Sequence, residues 1–399
     1  MTGKFKILLC AALSSGAILA QSQPATGFNI ASLSQEDESA NQNAGAAPVA
    51  YVYVTRPTHV DGFATASNGR LTPVPGSPFA DISLTHMSVN KNYLFGPDAD
   101  GENIRSFSIA PDGALTQASV LNAQQYNPGN CGGFGPTALD VTATTIYNII
   151  NSECEVEIQS FHIEANGDLQ FLGVVDSGLT SDLFSLSNIV VSSKNNFAFQ
   201  TGCGGDSFPD GGMLEYKRES NGLLTSFGDG IPTPATKNPD DIYCPYLAIA
   251  SDPSDHFAVV LQPLDDTFSQ DGPDAIATYT VGSNGSATTQ STYENMPSDT
   301  VDFNDSMSIS PTGKLLALAG VNGFQIFHYN GSSPVTKYTG AIQKGDSFIQ
   351  FCWDSDNHLY ALSGNGKLFV YTVTPTSIAE APGSPYSIPE ASSIIALSK

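Results

Sequence analysis

The sequence predicts an all-β protein, a single seven-bladed β-propeller of four-stranded blades whose last strand joins the first blade to close the ring. Three observations predict it. A two-hairpin unit recurs along the chain, a seventh copy is split between the two ends, and the composition suits short strands and many turns. Charged residues make up only 14% of the 399 residues, glycine and proline number 37 and 25, and aromatics reach 10%. No segment from residue 48 onward sustains a 3.6-residue apolar period, so helix should be scarce.

Taken in order, residues 1–20 carry Lys4 and Lys6 before the apolar run ILLCAALSSGAILA, with small residues around Ala20. This is the pattern of a secretory signal peptide, and the run is shorter than the ~20 residues a spanning helix needs. No membrane span is expected once it is removed. Residues 21–47 are polar and rich in Gln, Ser and Ala without periodicity, which predicts a disordered linker. The propeller should occupy 48–399.

Within it, the first hairpin of each unit appears at 87–96, 139–150, 189–200, 247–260, 307–320 and 349–362, as in MSISPTGKLLALAG and IQFCWDSDNHLYAL. The second hairpin follows in each unit, commonly around an Asn-Gly-type turn, as in IQSFHIEANGDLQFLG and MLEYKRESNGLLTSFG. Each unit spans about fifty residues, the size of a four-stranded blade. Residues 50–79 supply three strands and lack the first; SSIIALSK at 392–399 resembles the missing one. Pairing these two segments would close the ring and remove the exposed edges that an open stack would leave.

The strand ends and turns bring a family into view. The YVYVT entry strand (51–55), NGRLTPVPGSPF (68–79), APGSPYSI (381–388) and SPTGKLLALA (310–319) resemble the lactonase-type propellers, the group of 6-phosphogluconolactonase-like proteins with YVTN repeats. The resemblance covers roughly residues 48–399 and consists of blade grammar, which specifies architecture better than chemistry. It implies a lactone hydrolase, a carboxylic ester hydrolase, as one functional reading.

Charge constrains that reading. The chain carries 15 basic and 39 acidic residues, a net of −24; loss of Lys4 and Lys6 with the leader would leave 13 against 39, a net of −26. Nucleic acid is not an expected partner, because its binding needs a basic face. In a propeller, the loops entering each inner strand share one face with the loops between second and third strands. The long insertions here all fall on that face, which collects fifteen acidic residues against Arg56, Lys237 and Lys344. A phosphorylated lactone would need cationic donors that such a face lacks. A neutral sugar lactone is the compatible substrate.

Several residues on this face are candidates for chemistry. Asp305 and Asp346 are expected just before their inner strands, and His86 directly precedes another. Any of the three could activate water. The stretch DADGEN places Asp98, Asp100 and Glu102 at alternate positions before and after a glycine, a fragment of a calcium-loop pattern, so calcium or another divalent cation is a possible cofactor. His162, His256, His328 and His358 fall on strands or opposite-face turns and are expected to be structural. G-x-S-x-G, H-E-x-x-H and C-x-x-C signatures are absent.

By blade position Cys131 and Cys154 should meet on the loop-rich face, as should Cys203 and Cys244, giving disulfides 131–154 and 203–244 if the chain is exported. Free thiols or another pairing remain open. Cys352 should be a buried thiol. The expectation is a secreted monomer, periplasmic or extracellular, whose acidic face binds a small neutral ligand, a glycan or a protein partner; the lactonase is the alternative.

Overall fold

Runs of β-branched and aromatic residues separated by tight turns fold into antiparallel hairpins because the branched side chains suit a pleated surface and the turns return the strand directly. In a computed structural model, which describes residues 47–127, 133–139, 142–151, 155–180, 189–192, 194, 196–204 and 208–399, these hairpins form seven antiparallel sheets. The described residues all belong to one unit, Gly45–Lys399. Residues 1–46, where the leader and nearly all of the linker are expected, lie outside the described residues, as do Cys131 and Cys154.

Blade 2 shows the plan, with strands Ser88–Val89, Tyr93–Pro97, Asn103–Ile109 and Leu115–Asn122 paired in chain order. Five further blades repeat it. Blade 1 differs as expected: its inner strand is Ser393–Ser398, which pairs with Ala50–Arg56 from Ala50↔Ser398 to Thr55↔Ser393. Lys399 N–H donates to the Val49 carbonyl at 2.9 Å, and Ser392 N–H donates to that of Thr55 at 3.1 Å. The two ends of the propeller segment are therefore one sheet. The matching Pro-Gly-Ser-Pro stretches at 75–78 and 382–385 also act alike, Ser77 and Ser384 each accepting a backbone N–H, from Gly62 and Val370.

Seven large apolar clusters account for the strands that read as nearly continuous apolar runs, such as His256–Leu264. Each spans two adjacent blades. One joins Phe199 and Met213 of blade 4 to Phe257 and Tyr279 of blade 5; another joins Leu362 and Val370 of blade 7 to Val52, Val54 and Ile394 of blade 1. The others join blades 1 and 2, 2 and 3, 3 and 4, 5 and 6, and 6 and 7. A blade buries both faces of its sheet, so its strands carry apolar residues on both sides.

Polar latches repeat between blades on the face opposite the long loops. Tyr53, Tyr93 and Tyr147, all on second strands, donate hydroxyls to the carbonyls of Gly113, Ala165 and Gly222 in the third-to-fourth turn of the next blade, at 2.8–2.9 Å. The turn glycine is required twice over at Gly167: φ is +87°, and a Cβ would strike the Tyr93 ring. On the same face, Asp252 and Asp354 organise first-to-second turns. Asp354 Oδ1 accepts the N–H groups of Asp356 (3.0 Å) and His358 (2.9 Å), while Oδ2 meets His358 Nδ1 and the Tyr360 hydroxyl, both at 2.7 Å. Asp252 holds Ser254 N–H and His256 in the same way. His256 and His358 are thus parts of turns.

Candidate functional site: the acidic loop-rich face

Of the residues singled out on this face, Asp346 is held in place. Its carboxylate accepts Asn365 Nδ2 at 2.7 Å and lies 3.4 Å from Lys367 Nζ, tying the loop before Phe348–Trp353 to the next hairpin of its own blade. His86 is half-buried ahead of Ser88–Val89, and burial lowers its pKa, leaving a neutral imidazole at neutral pH. Asp305 lies inside its inner strand, Phe303–Ile309, rather than before it. A register shift between Phe303 and Met307 starts the strand two residues earlier than Asp305, and the Asp305 side chain lies outside the described residues.

Asp98 is only 3% exposed and serves its own turn. Oδ1 accepts the N–H groups of Glu102 and Asn103, and Oδ2 accepts Asn103 Nδ2 at 2.8 Å and Arg105 at 3.4 Å. Asp100 and Glu102 are exposed. Among the described residues no three His, Cys, Asp or Glu side chains are grouped to hold a metal ion. Cys352 is a buried free thiol whose pKa is raised first by burial and then by Asp354. Cys244, 1% exposed, is disulfide-bonded; the side chains of Cys131, Cys154 and Cys203 lie outside the described residues.

Two features emerge only in three dimensions. The first is a cleft of about 570 Å³ between the segment 232–243, which leads into blade 5, and the turn 265–268 after that blade's second strand. Its lining combines Pro232, Pro234, Pro239, Ile242, Tyr243 and Phe268 with Thr233, Thr236 and four carboxylates, Asp240, Asp241, Asp265 and Asp266. No basic side chain lines it. Phe268 is 50% exposed at φ +58°, an unusual display for a large apolar side chain. Asp265 Oδ1 accepts the Thr267 hydroxyl (2.6 Å) and the N–H groups of Thr267 (2.8 Å) and Ser269 (2.9 Å). These bonds, the Thr267 hydroxyl first, hold its carboxyl below the usual range and keep it ionised.

The second is Asp274, at the head of Ala275–Val281 and 7% exposed. Burial, and then the nearby carboxylates of Asp299 and Asp302, push its pKa up to about 7. Its carboxylate accepts Gln270 Nε2 at 3.2 Å, and its carbonyl accepts Asp299 N–H at 3.1 Å. Gln270 follows Phe268 closely in the chain and bridges back to Leu264, so Asp274 is connected to one wall of the cleft. Both walls fall in segments, 231–245 and 263–274, that sequence position assigns to this face. Neither the cavity nor the burial of Asp274 has a signal in the sequence, because both depend on loops meeting in space, the cavity on 232–243 and 265–268 and Asp274 on residues 298–299.

No family model matches the chain, and no curated protein matches it in sequence. Solved structures do match its fold. The Pseudomonas aeruginosa periplasmic gluconolactonase has a TM-score of 0.59 at 12% identity, covering 88% of this chain and 99% of that one. A candidate 6-phosphogluconolactonase from Bacteroides uniformis has a TM-score of 0.60 at 10% identity, covering 87% and 99%. A protein of unknown function from Desulfotomaculum acetoxidans has a TM-score of 0.55 at 10% identity, covering 88% and 99%. Likeness at these identities concerns fold, and by fold this chain is a seven-bladed propeller like those 6-phosphogluconolactonase-like proteins.

Proposed function

We propose that the protein is a secreted binding propeller that holds a non-anionic ligand on its acidic, loop-rich face. The cleft beside blade 5 carries this reading, being a concave site on the long-loop face with apolar and aromatic walls, four carboxylates and no basic side chain. Such a lining accepts hydrogen bonds and repels phosphate. The leader-like N-terminus supports export, and export would permit disulfides 131–154 and 203–244 to staple the neighbouring loops. Calorimetric titration with neutral saccharides, sugar lactones and organic cations, alongside 6-phosphogluconate, tests the reading. A non-anionic ligand should bind and weaken at least ~10-fold in Asp240→Asn/Asp241→Asn, a change of about 1.4 kcal/mol. Tighter binding of the phosphosugar would refute it.

A second reading, hydrolysis of a neutral sugar lactone, is favoured by one observation. Asp274, with a pKa of about 7, can exchange a proton with water near neutral pH, as a general base must. Proton release from gluconolactone should then be saturable, fall with Asp274→Asn, and persist with Asp346→Asn. A rate no greater than the uncatalysed background removes this reading and leaves binding.

A further inference from the structure

Resting on the binding reading, we infer that the cleft beside blade 5 is a site for an aliphatic diamine or polyamine. Three features of the cleft converge on that chemistry. The first is the arrangement of charge. Asp240 and Asp241 come from the loop before Ile242, and Asp265 and Asp266 from the turn after Leu264, so each wall contributes an adjacent pair. Among the described residues none of the four forms an ion pair with Lys, Arg or His. Asp241 accepts only a neutral amide, Asn238 Nδ2 at 2.8 Å, and Asp265 only hydroxyl and backbone donors.

The second feature is polarity. The lining side chains offer four carboxylates and the hydroxyls of Thr233, Thr236 and Tyr243, and no amide, guanidinium or ammonium group. A lining so rich in acceptors suits a ligand that only donates. An ammonium group has three donors and no acceptor, whereas a sugar hydroxyl also carries acceptor lone pairs, for which the lining offers few donors, the Thr236 hydroxyl already donating to backbone carbonyls.

The third feature is the apolar surface that shares the lining with the acidic pairs. Pro232, Pro234, Pro239 and Ile242 present hydrocarbon, and Phe268 and Tyr243 present aromatic groups. Methylene spacers can lie on the first set, and an ammonium can approach an exposed ring face through the attraction of a cation to the π system. A ligand with charged ends and an apolar middle satisfies both kinds of surface at once. A bare divalent cation would leave the apolar surface unused, and no three carboxylates are grouped for one among the described residues.

Isothermal titration of the purified protein with 1,5-diaminopentane and with spermidine tests the inference, with 1,5-pentanediol and pentylamine as controls. Both amines should bind, pentanediol should not, and pentylamine should be at least ~10-fold weaker. Asp240→Asn/Asp266→Asn should raise Kd at least ~10-fold and Phe268→Ala about 3-fold, because the charges and the ring act separately. Raising sodium chloride from about 50 mM to about 500 mM should weaken binding. Asp100→Asn/Glu102→Gln, elsewhere on the same face, should change Kd less than ~2-fold. Equal binding of pentanediol, or equal loss in the Asp100 and Glu102 control, overturns the inference. If the amines fail while a neutral saccharide binds and is lost with the cleft substitutions, the amine assignment falls and the binding reading stands. If nothing binds this face, both fall.

Discussion

Asp354 and Asp274 are both nearly inaccessible to water, at 0% and 7% exposure, but they lie on opposite faces of the ring and their carboxyls respond to burial in opposite ways. Burial alone would raise both. At Asp354 that effect is outweighed by the donors around it, His358 first and then Tyr360, so its pKa is lowered. At Asp274 burial, and then the carboxylates of Asp299 and Asp302, outweigh one amide donor from Gln270, and the pKa rises to about 7. The turn face uses an acid as a hub for donors and gains structure. The loop-rich face gathers acids together, and the resulting repulsion is an arrangement that folding alone gives no reason to keep.

The largest effect should come from breaking the ring where the Asp354 turn meets it. Ser355 N–H donates to Ser398 Oγ at 2.8 Å, and Ile394 is packed in the cluster shared by blades 7 and 1. Deleting residues 393–399 removes the inner strand of blade 1, unpairs the edge of Ala50–Arg56 and opens the ring. Loss of the cooperative unfolding transition in a denaturant titration is the expected outcome. A truncated protein that unfolds with unchanged midpoint would show that closure contributes little.

Next in size is the hub itself. Asp354→Ala leaves the His358 ring and two backbone N–H groups without their acceptor in a buried site, and leaves the Tyr360 hydroxyl with Thr65 Oγ1 alone. The cost should be about 3–5 kcal/mol in the unfolding free energy at neutral pH. Asp252→Ala makes the equivalent change at the more exposed His256 turn and should cost less, about 1–2 kcal/mol. Because the folded pKa of Asp354 lies below its unfolded value of 3.8, its contribution is present above that pH and fades as pH falls through the folded pKa. The gap between wild type and Asp354→Ala should therefore narrow in acid.

The last of these effects has the opposite sign. The folded pKa of Asp274 is about 7, above the unfolded 3.8, so folding favours its protonated form. Its contribution is complete below pH 3.8 and is lost as pH rises through 7. Asp274→Asn, which mimics the protonated carboxyl, should stabilise the protein by about 1–3 kcal/mol at pH 8 and have little effect near pH 4. Thermal unfolding of the pair across that range checks it; a destabilising effect at pH 8 would mean that the Asp274 charge is satisfied.

The architecture was legible because it is written in local grammar repeated many times. The hairpin runs, the Asn-Gly-type turns and the split seventh blade each correspond to an element, and the C-terminal strand pairs where its resemblance to an inner strand places it. The assignment of long loops to one face also follows from blade order. Side-chain roles were less accessible. DADGEN resembles part of a cation loop in one dimension, whereas in three dimensions Asp98 turns inward to its own backbone while Asp100 and Glu102 face solvent. Asp305 falls within its strand, at a register shift that no local pattern marks. Asp274 looked like one acid among many, since its burial comes from the approach of residues 298–299, a contact between loops that sequence spacing does not encode.

The contrast between the two faces can be measured directly by following aspartate side-chain carboxyl carbons by NMR in a pH titration of selectively labelled protein, with Asp274→Asn and Asp354→Asn identifying the two signals. The account predicts that the Asp274 signal moves with a midpoint near 7 while the Asp354 signal stays at its ionised position until the pH is below 3.8. Midpoints that coincide near 3.8 would contradict it, showing that the acids on the loop-rich face are no more perturbed than those that build the turns.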